Sequence, residues 1–112
     1  MFDSLLDEDA TTMAALIRSG DVSACELTGA VLARMEQREP AIQAFCTPTP
    51  ELAMAQARAV DARRARGETP GALAGVPLAV KDLICTANVR TTSGSAAYKD
   101  FVPEDDDITV ER

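Results

Sequence analysis

The spacing of apolar residues predicts an amphipathic helix near the start of the chain. Apolar side chains recur at Met13, Leu16 and Ile17, and these positions share one face of a helix with about 3.6 residues per turn. Asp9 stands before this run and Gly20 follows it, in the positions that helix-capping residues occupy. We therefore expect a short helix that ends at the glycine.

A second helix is predicted from Ser23 to Pro40. Ser23 and Glu26 have the spacing of a capping box, in which each side chain accepts a hydrogen bond from the backbone N–H of the other residue. Pro40 has no backbone N–H and is expected to end the helix. The apolar residues that share one face are Leu27, Val31, Leu32 and Met35.

An extended segment and a third helix are expected next. Ile42–Thr47 is predicted to form a short strand. Thr49, Pro50 and Glu51 then supply a capping residue, a proline at the first helical position and an early acid, so a helix should run from there to about Arg66. Basic residues that complement the dipole at its end are Arg63, Arg64 and Arg66.

The character of the chain changes after Gly67. A turn is predicted at 69–71, where threonine, proline and glycine follow one another. Leu78–Val80 is predicted to form a short, largely buried strand that ends at the charged pair of Lys81 and Asp82. A stretch rich in threonine, serine and glycine at 86–95 is typical of a loop.

The last residues are expected to begin another helix. The acidic run Glu104–Asp107 comes directly before it, and we interpret these carboxylates as a helix cap rather than as a cation site. The helical pattern that follows has fewer than two turns before Arg112. We therefore expect the natural chain to continue past this residue.

Composition indicates that the hydrophobic core is small. Hydrophobic residues are 46% of the 112 residues, but 20 of them are alanine. Leu, Ile, Val and Phe together number 24, which is close to the fraction of about 20% below which charged chains tend to remain disordered. We therefore expect residues 1–112 to be part of one larger domain, mainly helical over 1–67 and with a strand, a loop and the start of a helix over 68–112.

Residue types and charge exclude several classes of function. The chain has no histidine, so it contains neither a Ser-His-Asp nor a Cys-His triad, and no histidine-ligated zinc or haem site. The net charge of −7 disfavours direct binding of nucleic acid. The sequence also lacks the apolar run of about 20 residues that a membrane span requires.

The cysteines favour a reducing, cytoplasmic setting. Cys25, Cys46 and Cys85 are odd in number and form no CxxC motif, and no signal peptide precedes them. We interpret all three as small buried thiols. A competing hypothesis is a thiol mechanism at Cys85, since the positive charge of Lys81 stands nearby in the sequence.

Lys81 is the candidate for chemistry because of its residue type. The chain has arginine at nine positions and lysine only at 81 and 99. A lysine amine becomes a base when burial and neighbouring charges lower its pKa from about 10.4 towards about 7, whereas a guanidinium stays protonated. The alternative is a structural lysine that is paired with Asp82 or exposed to solvent.

Three blocks resemble the amidase signature family. They are Gly75–Asp82, Thr91–Ser95 and Phe101–Pro103, and the similarity extends back to the capping box at Ser23, so that it covers nearly the whole chain. Within this family the chain looks most similar to bacterial amidases and to the A subunits of glutamyl-tRNA amidotransferases.

The resemblance implies an α/β fold and a serine hydrolase. The fold would be N-terminal helices that cover part of a mixed β-sheet core, incomplete in this chain. The activity would be hydrolysis of a small-molecule carboxamide to carboxylate and ammonia by a triad of serine, cis-serine and lysine, without cofactor or metal. Lys81 matches the lysine, which acts as the base, whereas Ser93 and Ser95 match neither serine.

Because both serines are missing, residues 1–112 alone are expected to be inactive. Two alternatives stay open: an amidotransferase subunit that passes ammonia to glutamyl-tRNA, or a non-catalytic interaction module. The second would expose apolar surface to a partner. A homodimer or partner subunits are possible in either case.

The sequence departs from the family pattern at two places. Asn88 stands where a glycine is usual, and asparagine tolerates a positive φ. Asp107, Ile108 and Thr109 stand where the family has a small residue before Thr-Val. The added aspartate lies at the predicted helix start, where a carboxylate can cap N–H groups.

Overall fold

The computed structural model describes residues 2–112, and the regular structure among them is helical. The α-helices are α1 (Phe2–Leu5), α2 (Ala10–Ser19), α3 (Ala24–Ile42), α4 (Pro50–Ala65) and α5 (Ile108–Glu111), and a short 3₁₀ helix spans Ala96–Tyr98. None of these helices is long and apolar enough to span a lipid bilayer.

The chain forms two compact units. The helical unit comprises the described residues through Gln43 together with Thr49–Pro77, and so contains α1 to α4. The loop unit comprises Ala44–Pro48 and Leu78–Arg112. Lys81 belongs to the loop unit.

Helix α2 has the caps that its sequence predicts. The Asp9 side chain accepts a hydrogen bond from the Thr12 N–H at 2.7 Å. Gly20 has φ +89° and donates its N–H to carbonyls of the last turn. Glycine ends the helix without strain because it adopts this left-handed conformation freely.

The start of α3 confirms the predicted capping box and adds an acceptor from another helix. Glu26 donates its N–H to Ser23 Oγ at 3.0 Å, and Ser23 donates its N–H to Glu26 Oε2 at 2.8 Å. Asp61 on α4 accepts from the Ala24 N–H at 2.8 Å and from the Cys25 N–H at 3.0 Å. The N–H groups that a helix start leaves without helical partners are therefore engaged at four successive residues.

The predicted end of α3 at Pro40 is wrong, because the helix continues to Ile42. Proline fits the helical φ, and in the last turn its missing N–H removes only one helical hydrogen bond. The helix ends instead at Gln43, which has φ +51° and donates its N–H to the Glu39 carbonyl at 2.8 Å.

Helix α4 begins at Pro50 as predicted and ends at Ala65, one residue before the expected Arg66. The Thr49 side chain makes no capping hydrogen bond, contrary to the expectation from its position. At the other end, the Nε atoms of Arg63 and Arg66 each lie 2.8 Å from a carboxylate oxygen of Glu68. These two arginines therefore hold the chain after α4 as well as complementing the helix dipole.

The core is as small as the composition indicates. The buried hydrophobic residues include three alanines, and Leu27 is the largest side chain that is fully buried. The set in the helical unit is Leu5, Ala14, Ile17, Val22, Ala24, Leu27 and Ala57. Interactions other than apolar burial must therefore contribute much of the stability.

Gly75 passes close to this core. It has φ +90°, and a Cβ atom placed there would lie 3.0 Å from both Ala24 Cβ and Ile17 Cδ1. Both the backbone conformation and the available space therefore require glycine at this position.

Helix α1 was not predicted, because one turn has too few residues to show a periodic pattern. Arg34 on α3 holds this segment: it donates to the Asp3 carbonyl at 2.8 Å and to Asp7 Oδ1 at 2.8 Å. A further hydrogen bond of 3.3 Å joins it to the Leu6 carbonyl.

The two predicted strands are wrong for the described residues. Ile42 belongs to α3, the residues after it are irregular, and Leu78–Val80 is neither a strand nor buried, with Leu78 84% exposed. A strand requires a neighbouring backbone for its ladder. Among residues 2–112, β pairing is limited to one isolated antiparallel bridge between Thr86 and Val89.

We expect Asp61→Ala to lower the free energy of unfolding by about 2 to 3 kcal/mol near neutral pH, since two N–H groups at the start of α3 lose a charged acceptor. Burial opposes ionisation of Asp61, but the hydrogen bonds from Ala24 and Cys25 outweigh it and hold its pKa below the ordinary value. The carboxylate therefore stabilises the fold above about pH 4, and this contribution is lost as the pH falls through the lowered pKa.

Urea unfolding followed by helical circular dichroism measures this effect. Asp100→Ala, which removes an exposed carboxylate, is the control and should unfold like the parent protein. A difference between parent and Asp61→Ala that stayed constant down to about pH 2 would contradict the assignment.

Candidate functional site

Lys81 lies at the start of a turn in the loop unit. Its carbonyl accepts a hydrogen bond from the Ile84 N–H at 3.0 Å, and its side chain is exposed. The described residues form no ion pair with its ammonium group, and the adjacent Asp82 is engaged elsewhere. Of the two structural alternatives for this lysine, exposure to solvent is found and pairing with Asp82 is not.

Asp82 is bound by Thr92 through both carboxylate oxygens. Oδ1 accepts from the Thr92 N–H at 2.7 Å, and Oδ2 accepts a short hydrogen bond from the Thr92 hydroxyl. Thr92 is buried and Asp82 is half-buried. This pair, which we call the Asp82–Thr92 clamp, joins the turn that carries Lys81 to the following loop.

The electrostatics of the clamp favour an ionised carboxylate. The hydroxyl and then the N–H of Thr92 lower the pKa of Asp82, against the opposing effect of burial. The Gly94 N–H and the Cys46 thiol lower this pKa further. The donors around Asp82 thus stabilise its charge without a contribution from Lys81.

A tight turn follows Thr92. The Ser95 N–H donates to the Thr92 carbonyl at 2.9 Å, and the central residues Ser93 and Gly94 both have positive φ, at 53° and 66°. Positive φ at both central positions is the combination found in type I′ turns. Ser95 Oγ accepts from the Ala97 N–H at 3.3 Å and caps the 3₁₀ helix.

Arg90 connects separate segments of the loop unit. Its Nη1 donates to the Lys99 carbonyl at 2.8 Å, and its Nη2 donates to the Cys46 carbonyl at 2.9 Å. The Thr91 N–H donates to the Phe101 carbonyl at 2.9 Å. These bonds hold the backbone on either side of the clamp in a unit that contains no β-sheet.

The positive φ expected at Asn88 is found, and the helix cap predicted for the acidic run is confirmed at Asp107. Asn88 has φ +61°, a conformation that asparagine tolerates better than most residues. Asp107 Oδ1 accepts from the Thr109 N–H at 2.9 Å and caps α5, and Asp106 accepts from the Ala87 N–H at 2.7 Å. In the described part of the chain no group of potential ligands is arranged to hold a metal ion.

The cysteines differ from one another in exposure. Cys25 is half-buried, and burial followed by its hydrogen bond with Asp61 raises its thiol pKa. Cys85 is also half-buried, with its carbonyl bound to the Asp107 N–H at 2.9 Å. The interpretation of Cys46 as a buried thiol is wrong, because this residue is exposed and its thiol lies against Asp82.

Sequence reasoning missed Thr92 and Cys46 as neighbours of the Lys81 turn. Thr92 lies ten residues after Asp82 and Cys46 lies 36 residues before it, so no local spacing relates them. Thr92 could have been noticed only because it lies in the Thr91–Ser95 block of the family resemblance. That block does not predict that Thr92 contacts Asp82.

Comparisons with known proteins match nearly the whole chain. The family model described as Amidase matches residues 26–112. The protein named as the A subunit of glutamyl-tRNA(Gln) amidotransferase in Chloroflexus aurantiacus is 46% identical over 102 residues, which are 91% of this chain and 21% of the relative. The protein of that name from Methylococcus capsulatus is 49% identical over 100 residues, 89% of this chain and 20% of the relative.

A third relative has higher sequence identity over a shorter segment, and a solved structure has a similar fold. The protein of the same name from Pseudomonas putida is 58% identical over 76 residues, 68% of this chain and 16% of the relative. A structure described as an unexpected vestigial protein complex that reveals the evolutionary origins of an s-triazine catabolic enzyme has a TM-score of 0.88 at 35% identity, covering 93% of this chain and 23% of that chain. The chain thus spans about a fifth of the length of the curated relatives it matches.

We expect the Thr92 amide resonance to report the charge of Asp82. As the pH falls through the lowered pKa of Asp82, below its ordinary value of 3.8, the carboxylate gains a proton and the Thr92 amide proton should move upfield. In Asp82→Asn this pH-dependent step in the chemical shift of the Thr92 amide proton should be absent. A pH titration by two-dimensional NMR measures it, with Asp100→Asn as a control that keeps the step; a Thr92 step that persisted in Asp82→Asn would disprove the clamp.

Proposed function

The chain belongs to the amidase family, and on that premise we propose that it supplies the general base, Lys81, for the hydrolysis of carboxamides. The observation that carries the proposal is that the Lys81 ammonium has no counterion among the described residues, although an aspartate follows it directly. Both oxygens of that aspartate are bound to Thr92.

The absence of a counterion matters because a base must first be neutral. A nearby carboxylate favours the protonated amine, whereas an unpaired amine releases its proton more readily. Lysine suits this role and arginine does not, since a guanidinium stays protonated at any pH compatible with a folded enzyme. The two lysines of the chain are Lys81 and Lys99, and Lys81 is the one in the family motif.

In the proposed reaction the neutral amine of Lys81 takes a proton from a bridging serine. That serine takes the proton of the nucleophilic serine, whose oxygen attacks the carbonyl carbon of the amide. The C–N bond breaks as the nitrogen receives the proton and leaves as ammonia, and water then hydrolyses the serine ester to the carboxylate. Both serines are proposed to come from the remainder of the protein, so residues 1–112 alone would be inactive.

We also propose that this chain forms the N-terminal part of an α/β domain, in which its helices cover part of a mixed sheet. Large apolar side chains near Lys81 are exposed in the loop unit, among them Leu78 at 84% and Leu83 at 59%. Surface of this kind is the part of a fold that further structure buries. Sheet strands contributed by the rest of the domain would cover it.

The relatives favour a second candidate, one component of an amidotransferase. Those compared above are named as A subunits of glutamyl-tRNA(Gln) amidotransferases. In that role Lys81 would be the base of the same amide cleavage, and the ammonia would pass to glutamyl-tRNA with the help of partner subunits.

Lys81→Ala in the complete protein should lower the turnover of a carboxamide about 10²- to 10⁴-fold, the range associated with loss of a general base. Lys81→Arg should be as inactive, because it keeps the charge but cannot accept the proton. Ammonia release measures the effect, and a small primary amine added to Lys81→Ala should restore part of the rate.

The matched control is Lys99→Ala, which removes the other exposed lysine of the chain and should retain full turnover. The role assigned to Lys81 is wrong if Lys81→Ala turns over at the parental rate while its unfolding is unchanged.

Hydrolase and amidotransferase are separated by their dependence on the acceptor. We expect the complete protein to release ammonia from a simple carboxamide at a rate that does not change when glutamyl-tRNA is added. Release that required glutamyl-tRNA and additional protein components would contradict the hydrolase and support the second candidate.

A further inference from the structure

We propose that Thr92 is a positioning residue for Lys81: its hydroxyl occupies the Asp82 carboxylate and so prevents that carboxylate from pairing with the Lys81 ammonium. The inference rests on the proposed function, in which Lys81 must lose its proton before each turnover. It assigns to Thr92 an effect on the base that acts through a third side chain.

The position of Asp82 in the chain makes this restraint necessary. Asp82 follows Lys81 directly, and both lie in a turn whose first carbonyl accepts the Ile84 N–H at 3.0 Å. Asp82 is therefore the acidic residue nearest to Lys81 in the sequence. An ion pair between them would favour the protonated amine and reduce the fraction of enzyme with a usable base.

The Thr92 backbone alone would not provide the restraint. Its N–H engages Oδ1 of Asp82 at 2.7 Å, and without the hydroxyl Oδ2 would lose its donor from Thr92. The Gly94 N–H and the Cys46 thiol would remain, and their effects on the Asp82 carboxylate are smaller than that of the hydroxyl. The Gly94 N–H donates to Thr92 Oγ1 at 3.3 Å, which leaves the hydroxyl proton directed to the carboxylate. Both oxygens of Asp82 are thus committed by one buried residue.

Two other side chains of the loop unit that titrate or carry charge adjoin the clamp. The Cys46 thiol lies against Asp82, and Arg90 is bound to the Cys46 carbonyl at 2.9 Å. The acid limb of the activity profile should therefore report whether Asp82 pairs with Lys81. Cys46→Ser is the control for titration of the thiol, and it should leave the position of this limb unchanged.

The test is the pH profile of kcat/KM for carboxamide hydrolysis by the complete protein. Thr92→Val keeps the shape of the side chain and removes the hydroxyl donor from Oδ2 of Asp82. The acid limb should then move to higher pH by about half a unit to one unit, as expected for a partly exposed ion pair. At pH values below the midpoint of the acid limb, this shift lowers kcat/KM about 3- to 10-fold. Thr92→Ser keeps the hydroxyl and should retain the parental limb.

The double variant Asp82→Asn with Thr92→Val discriminates between positioning and a merely structural role. It removes the carboxylate that would pair with Lys81, so the acid limb should return to its parental position. If Thr92 only held the loop, the second substitution would add to the damage and no return would occur. If Thr92→Val does not fold, Thr92→Ala removes the same hydroxyl and carries the same expectation.

The inference is overturned if Thr92→Val lowers kcat/KM equally at every pH, or if Asp82→Asn fails to restore the limb. Either outcome can occur while Lys81→Ala is inactive, in which case the proposed function stands and only the role of Thr92 is lost. Full turnover by Lys81→Ala would instead disprove the proposed function, because Lys81 would then not be the base.

Discussion

Hydrogen bonds from backbone N–H groups to aspartate side chains hold this structure where its apolar core is too small to do so. Leu27 is the largest fully buried side chain, and several of the other core residues are alanine. In the helical unit Asp61 binds the start of α3 from α4, and Asp9 caps α2. In the loop unit Asp82 binds Thr92. Bonds with a charged acceptor are among the stronger ones in proteins, so a few of them can compensate for missing apolar contacts.

The acidic composition therefore has a structural basis as well as an effect on solubility. Hydrogen bonds lower the pKa values of Asp9, Glu26 and Asp107, with backbone N–H groups as the largest cause in each case. These carboxylates favour the folded state when ionised and lose that effect as acid protonates them. The net charge of −7 thus follows in part from how the helices begin.

Local interactions were predictable from the sequence, and interactions between distant segments were not. The capping box of α3, the glycine that ends α2 and the proline that begins α4 each involve residues within one or two turns. The predicted strand at Leu78–Val80 failed because pairing depends on a partner strand that no local pattern specifies. At the candidate site, Lys81 was identified by residue type and motif, but the engagement of Asp82 by Thr92 depends on how the loop returns and so required the structure.

The start of α3 is closed to phosphate and other anionic ligands. Helix N-termini often bind such ligands, because their first N–H groups lack partners and the helix dipole places partial positive charge there. In α3 these donors are already bound to Ser23, Glu26 and Asp61, and two of those three acceptors are carboxylates. An anion that approached this surface would meet negative charge and no free donor, so this helix stabilises the fold at the expense of a ligand site that its geometry would otherwise offer.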